Sequence, residues 1–187
     1  MIKFGVGQPV RRKEDQRLVT GSGNYADDVR YDGQHYAVMV RSPYAHARIR
    51  KLETADASGM PGVVAILTAK ELAEDKVGTL RCLAPMENID GTPQATPPRQ
   101  IMAADRVRFV GDMVAMVVAT SVDAAQDAAE AVQVDYEMLP SVTDLASAMD
   151  SGQPEVWPEH VKNNTAFHWA TGDKDKVDAA FASAAST

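Results

Sequence analysis

Between residues 107 and 136 the hydrophobic pattern changes period twice, and the order of those changes sets the fold class. Val107–Val110 and Met113–Ala119 are short apolar runs separated by Gly111-Asp112. Runs of this length suit buried strands, and the Gly-Asp pair fits a hairpin turn, a bulge or a bend. Thr120 or Ser121 then caps a helix through Ala131, in which Val122, Ala125, Ala129 and Val132 repeat on one face. Val132–Tyr136 follows directly as another strand. Strand, helix, strand in this order predicts a mixed α/β or α+β unit.

The flanking segments extend that unit. Residues 1–34 read as an irregular arm with turns at Gly21-Ser22-Gly23 and Asp32-Gly33. A strand is expected over His35–Val40, ended by Ser42-Pro43, and another over Ala47–Leu52. A helical turn at Ala55–Ser58 leads through Pro61-Gly62 into a buried strand, Val63–Leu67. Thr68 and Glu71 stand at capping-box spacing, which predicts a short helix through Ala73. Residues 84–104, with four prolines, are a binding or contact loop, or mobile. Asp144 is placed to cap a short helix to Met149, and residues 151–164 read as a linker. A strand over Asn164–Trp169 and a helix over Asp173–Ala185 close the chain, with Val177, Ala180, Phe181 and Ala184 expected to face inward.

Composition bounds the function. A chain of 187 residues, 45% hydrophobic, can build one large domain or two small ones. A net charge of −7 argues against a nucleic-acid partner. The charge is uneven: residues 1–50 hold nine Lys/Arg against five Asp/Glu, and the rest ten against twenty-one. The basic arm is either a solvated surface or a docking element for an acidic partner. Cys82 is the only cysteine, so neither an internal disulfide nor a multi-cysteine cluster can form within the chain. Residues 1–14 have no apolar segment of a secretory signal, and no run is long enough to span a membrane, so a cytoplasmic location is expected.

The residues that might carry chemistry do not combine. His35, His46, His160 and His168 show no i, i+4 pair and no completing carboxylate, which predicts structural histidines. Asp173-Lys174-Asp175 opens like a calcium loop, but Val177 and Asp178 stand where an oxygen ligand and glycine are needed; a helix cap is the better reading. Gly5-Val6-Gly7 and Gly21-Ser22-Gly23 do not continue as a nucleotide-binding glycine motif and read as turns. Ser42 lacks the base, orienting acid and oxyanion site of a nucleophile. Asp27-Asp28 suits turn and cap roles, and Asn163-Asn164-Thr165 is a glycosylation sequon without a secretory context. Cys82, beside Arg81, is expected to be a buried or semi-buried structural thiol, and Met102, Met113 and Met116 core or contact residues. No catalytic, cofactor-binding or metal-binding residue is assigned.

Several ordered segments nevertheless resemble one family. They are Arg11–Asp28, Arg41-Ser42-Pro43-Tyr44-Ala45-His46-Ala47-Arg48-Ile49, Pro61–Leu72, Val107–Ala119, and Ala124–Glu137 with Leu139-Pro140. Together they resemble the opening of the large subunit of the molybdenum hydroxylases, which include aerobic carbon monoxide dehydrogenase, xanthine dehydrogenase and aldehyde oxidase. Met113 departs from the pattern, because members commonly carry Pro after Gly-Asp or Gly-Glu. The resemblance implies an α/β-hammerhead domain over residues 35–150, preceded by the arm at 1–34. Residues 151–187 would be the linker and the start of the molybdopterin-binding region, whose remainder is absent. It implies an oxidoreductase that hydroxylates an aldehyde, an N-heterocycle or carbon monoxide with oxygen from water. No cofactor would be bound by this chain alone: molybdopterin with molybdenum would lie in the full subunit, and [2Fe–2S] centres and FAD on companion subunits or domains. Implied partners are the molybdopterin-binding domain and the FAD and iron–sulfur subunits. The rival expectations are a stand-alone, non-catalytic binding or scaffold module of the same fold, and, less supported, an independent small-molecule enzyme.

Overall fold

The computed structural model describes residue 7 and residues 11–185. Gly5 and Val6 of the first glycine turn therefore lie outside the described residues. The chain divides into two compact units, one through His35 and the other from Tyr36.

In the first unit the irregular reading needs amending. Asp15–Val19 forms a short helix, α1, and Ala26–Asp28 a 3-10 turn. Asp15 caps locally, its carboxylate accepting from the Arg12 N–H at 3.1 Å, and Asp28 accepts from the Tyr25 N–H at 2.9 Å. Asp28 is therefore engaged as a turn residue.

The second unit is built on two antiparallel three-stranded sheets. One has the order β1-β5-β3, from Tyr36–Arg41, Met113–Ala119 and Val63–Thr68; the other has β4-β2-β6, from Arg106–Val107, Ala47–Glu53 and Gln133–Met138. β5 is central in the first sheet, and the burial of its Val114, Ala115, Val117 and Ala119 explains its nearly unbroken apolar sequence.

Three short helices connect these strands: α2 (Ala55–Ser58), α3 (Ala69–Glu74) and α4 (Val122–Ala131). α3 starts at the expected capping box, where the Thr68 N–H donates to Glu71 at 2.8 Å and the Lys70 N–H to the Thr68 hydroxyl at 3.2 Å. At α4 the Ser121 hydroxyl accepts from the Ala124 N–H at 3.1 Å. The buried face of α4 is Ala125 and Ala128, while Val122 at its first turn is exposed. Alanine here allows the helix close to the strands. One apolar cluster joins Ala57, Val117, Ala128 and Val132; a second joins Ala47, Ala103, Val107 and Val114. Val40 and Val134 pack against both, so the core is continuous between the sheets.

Four sequence expectations change. The strand at 107–110 stops at Val107, because the Arg108 N–H donates to the Asp112 carboxylate at 3.0 Å and closes a turn; β4 pairs with β2, so Gly111-Asp112 is no hairpin. Residues 145–149 form turns after the Asp144 cap, with Leu145 exposed, so the expected helix is not formed. Asn164–Trp169 is not a strand; it accepts single main-chain hydrogen bonds from the 84–104 loop, from Ala95 N–H at Ala166 O and from Ile89 N–H at His168 O. The closing helix, α5, runs Lys174–Ser183 with no buried residue, and Val177 and Phe181 are exposed rather than inward-facing.

Candidate functional site

β4 places Val107 in the core, and the chain then leaves the strand at Arg108. Side chains alternate along extended backbone, so Arg106 and Arg108 emerge on the face opposite Val107. The turn that follows is pinned to the end of β1. Gly111 N–H donates to Ser42 O and Ser42 N–H to Asp112 O, both at 2.8 Å, and the Arg41 guanidinium reaches Gly111 O at 2.9 Å. Gly111 has φ +92°, a region that favours glycine.

Arg106, Arg108, Phe109 and Asp112 line a cleft of ≈ 370 Å³, which Arg99 and Trp157 also line. The Arg108 guanidinium carbon lies 3.6 Å from the Trp157 ring centroid. A stacked, partly desolvated arginine gains about 0.5–2 kcal/mol from such contact. Burial pushes the Arg108 guanidinium below its usual value, yet a guanidinium remains charged at neutral pH. The Arg106 side chain is 14% exposed and meets Glu159 only at 4.0 Å. The Nε groups of Arg106 and Arg108 are buried and have no hydrogen-bond partner among the described residues.

A second cleft of ≈ 290 Å³ adjoins the first, sharing Arg108, Phe109 and Val156, and is lined by His46. His46 is 8% exposed; its Nδ1 lies 2.8 Å from Pro140 O, and its Nε2 is buried without a partner. A carbonyl only accepts, so Nδ1 carries a proton in this contact, and in the neutral ring Nε2 presents a lone pair. Beside them Tyr44 and Tyr136 meet edge to face at 5.2 Å, and burial pushes the Tyr136 phenol up.

The other singled-out residues do not converge on this region. Ser42 is buried, and its hydroxyl is spent on Tyr44, accepting from its N–H at 3.0 Å and donating to its carbonyl at 3.1 Å. This is a strand-end turn, as expected. His160 stacks edge to face on Trp157 at 5.9 Å, and His168 is held by the Asn88 side chain through its N–H at 2.7 Å. Asp173 caps α5, accepting from the Lys176 N–H at 3.0 Å. Cys82 is exposed, contrary to the buried thiol expected, and receives the Gln94 amide at 3.2 Å.

No group of three or more His, Cys, Asp or Glu side chains able to hold a metal ion occurs among the described residues. With a single cysteine the chain cannot ligate an iron–sulfur cluster by itself. An iron–sulfur cluster thus does not fit the single cysteine present, and no reaction step is derived through a metal or cofactor. The arrangement can bind an anion against an aromatic wall.

Two antiparallel sheets with short helices define an α+β protein of hammerhead type. The family described as "Aldehyde oxidase and xanthine dehydrogenase, a/b hammerhead domain" matches residues 20–140, and the chain belongs to it. The chain is 38% identical to the carbon monoxide dehydrogenase large chain of Afipia carboxidovorans over 96% of its own length and 22% of that protein's. It is 39% identical to the nicotine 6-hydroxylase large subunit of Paenarthrobacter nicotinovorans over 79% of this chain and 17% of that one. Among solved structures, reconstituted CO dehydrogenase from Oligotropha carboxidovorans superposes with a TM-score of 0.76 at 35% identity, covering 97% of this chain and 22% of that one. The chain therefore spans about a fifth of the length of these relatives. Among the described residues no helix is long and apolar enough to cross a membrane.

Proposed function

We propose that this chain is the hammerhead portion of the large subunit of a molybdopterin-dependent hydroxylase, and that its task is assembly. The single observation carrying the reading is its colinear likeness to hydroxylase large subunits along almost its whole length while spanning only a fifth of theirs. Residues 1–34 are the arm, 35–150 the hammerhead domain, and 151–187 lead into the molybdopterin-binding region. The complete enzyme oxidises an aldehyde, an N-heterocycle or carbon monoxide with oxygen from water. Molybdopterin is held by polypeptide outside this chain, and FAD and iron–sulfur centres by companion subunits or domains. The contribution made here is placement and access.

Arg11, Arg12 and Arg17 are exposed and are three of the nine Lys/Arg in the basic stretch over residues 1–50. Changing all three to Glu in the complete assembly is expected to reduce the companion subunits recovered with the large subunit, and to do so most at low salt, where screening is weakest. Unchanged subunit stoichiometry would remove the arm as a docking element.

A further inference from the structure

We propose that the joined cleft around Arg106, Arg108 and His46 is a receptor groove for an extended acidic segment of the large subunit's own polypeptide. This rests on the assembly reading and adds to it the location and chemistry of one contact. The two clefts share Arg108, Phe109 and Val156 in their walls, which puts them side by side along the 106–113 turn as two parts of one surface.

Three buried polar groups in this groove have no partner among the described residues: the Nε atoms of Arg106 and Arg108, and Nε2 of His46. Asp105, Glu159 and Asp112 lie near enough to act on the Arg108 charge, but none of them is hydrogen-bonded to either guanidinium among the described residues. Asp112 is engaged by the Arg108 main-chain N–H, and Glu159 reaches Arg106 only at 4.0 Å. Buried donors of this kind are costly unless an acceptor arrives. A carboxylate offers two oxygens to the guanidinium edges. The His46 lone pair asks instead for a donor, which a main-chain N–H supplies. Phe109 and Trp157 add an apolar wall.

One ligand class suits the guanidinium edges and the apolar wall together: extended peptide bearing Asp or Glu beside an apolar residue. The groove is cationic within a chain whose net charge is −7, which favours an acidic occupant there over the rest of the surface. About four-fifths of the length of the relatives lies outside the stretch this chain matches, and that polypeptide is the occupant we assign.

The test uses the complete assembly purified from its own cells, with p-benzoylphenylalanine replacing Phe109, which is 51% exposed and borders both clefts. After irradiation, cross-linked peptides are mapped by mass spectrometry. The expected adduct is to a large-subunit peptide carrying Asp or Glu, outside residues 1–187. Its yield should fall about tenfold in R106Q and in R108Q, as the loss of a charged hydrogen bond implies. Adducts confined to residues 1–187, to a companion subunit or to a segment without carboxylates would overturn the groove assignment. A yield indifferent to both glutamine variants would do the same. Should either variant fail to fold, the adduct's identity with both arginines in place still decides. Subunit content of the same sample separates the two readings: an intact assembly without the adduct removes only the groove, while absence of a larger large subunit removes the assembly reading as well.

Discussion

Replacing Val117 by Ala tests the core that joins the two sheets. Val117 lies at the centre of β5, has no exposed surface, and packs in the cluster with Ala57, Ala128 and Val132. The substitution removes two methyl groups, worth about 0.8 kcal/mol each, or about 1.6 kcal/mol in transfer free energy. Close packing from both sheet faces limits collapse, so a void of roughly 40 Å³ adds about 1 kcal/mol. The sum, about 2.5 kcal/mol, corresponds to a fall of about 1.2 M in urea midpoint if the slope is about 2 kcal/mol per M. The control is V64A on the adjoining strand β3, where Val64 is 53% exposed. That change should cost less than about 1 kcal/mol, chiefly through strand propensity. Equilibrium urea unfolding followed by far-UV circular dichroism measures both. Equal midpoints for V117A and V64A would refute the placement of Val117 in a shared, well-packed core.

Other outcomes follow from local geometry. The Thr68 hydroxyl holds the Glu71 carboxyl below its ordinary value of 4.5, so the capping box contributes stability above that pH and loses it as pH falls through the lowered value; E71Q should flatten the acid limb of a stability–pH profile, and an unchanged limb would contradict the box. Asn164 links three strands of chain, its amide oxygen accepting from Val156 N–H at 2.8 Å and its nitrogen donating to Ala148 O and Pro154 O at 3.0 Å, with φ +53°. N164A should cost about 1–3 kcal/mol and speed amide exchange at Val156, and unaltered exchange there would count against the clasp. Gly62 has φ +84°, and a Cβ there would meet Thr120 Oγ1 at 3.0 Å and Ala124 Cβ at 3.2 Å; G62A should lower the melting temperature, and a neutral result would mean that the β3–α4 approach is looser than described.

What could be read in advance was whatever local pattern alone decides. The apolar runs at 63–67 and 113–119, the Ser121 and Thr68 caps and the helix between residues 122 and 131 declare themselves through period and cap chemistry, and each forms. Misreadings fall where a side chain overrides the pattern. Val107–Val110 looks like a strand until Asp112 turns back to take the Arg108 N–H. Residues 145–149 have a sound cap but no surface to bury against, and α5 has an apolar stripe that nothing within the second unit covers. The groove was not found from the sequence: Trp157 reaches Arg108 from far along the chain, which periodicity cannot report. The family signal survived because it is spread over many ordered segments rather than one reactive motif.

The most direct measurement of the central claim is the intact mass of the native polypeptide carrying this sequence, isolated from its own cells with everything that co-purifies. The assembly reading requires a chain several times longer than 187 residues, accompanied by flavin and iron–sulfur subunits or domains. A native chain ending near Thr187, recovered without any larger molybdenum-containing partner, would contradict it and leave a stand-alone binding module of the hammerhead fold.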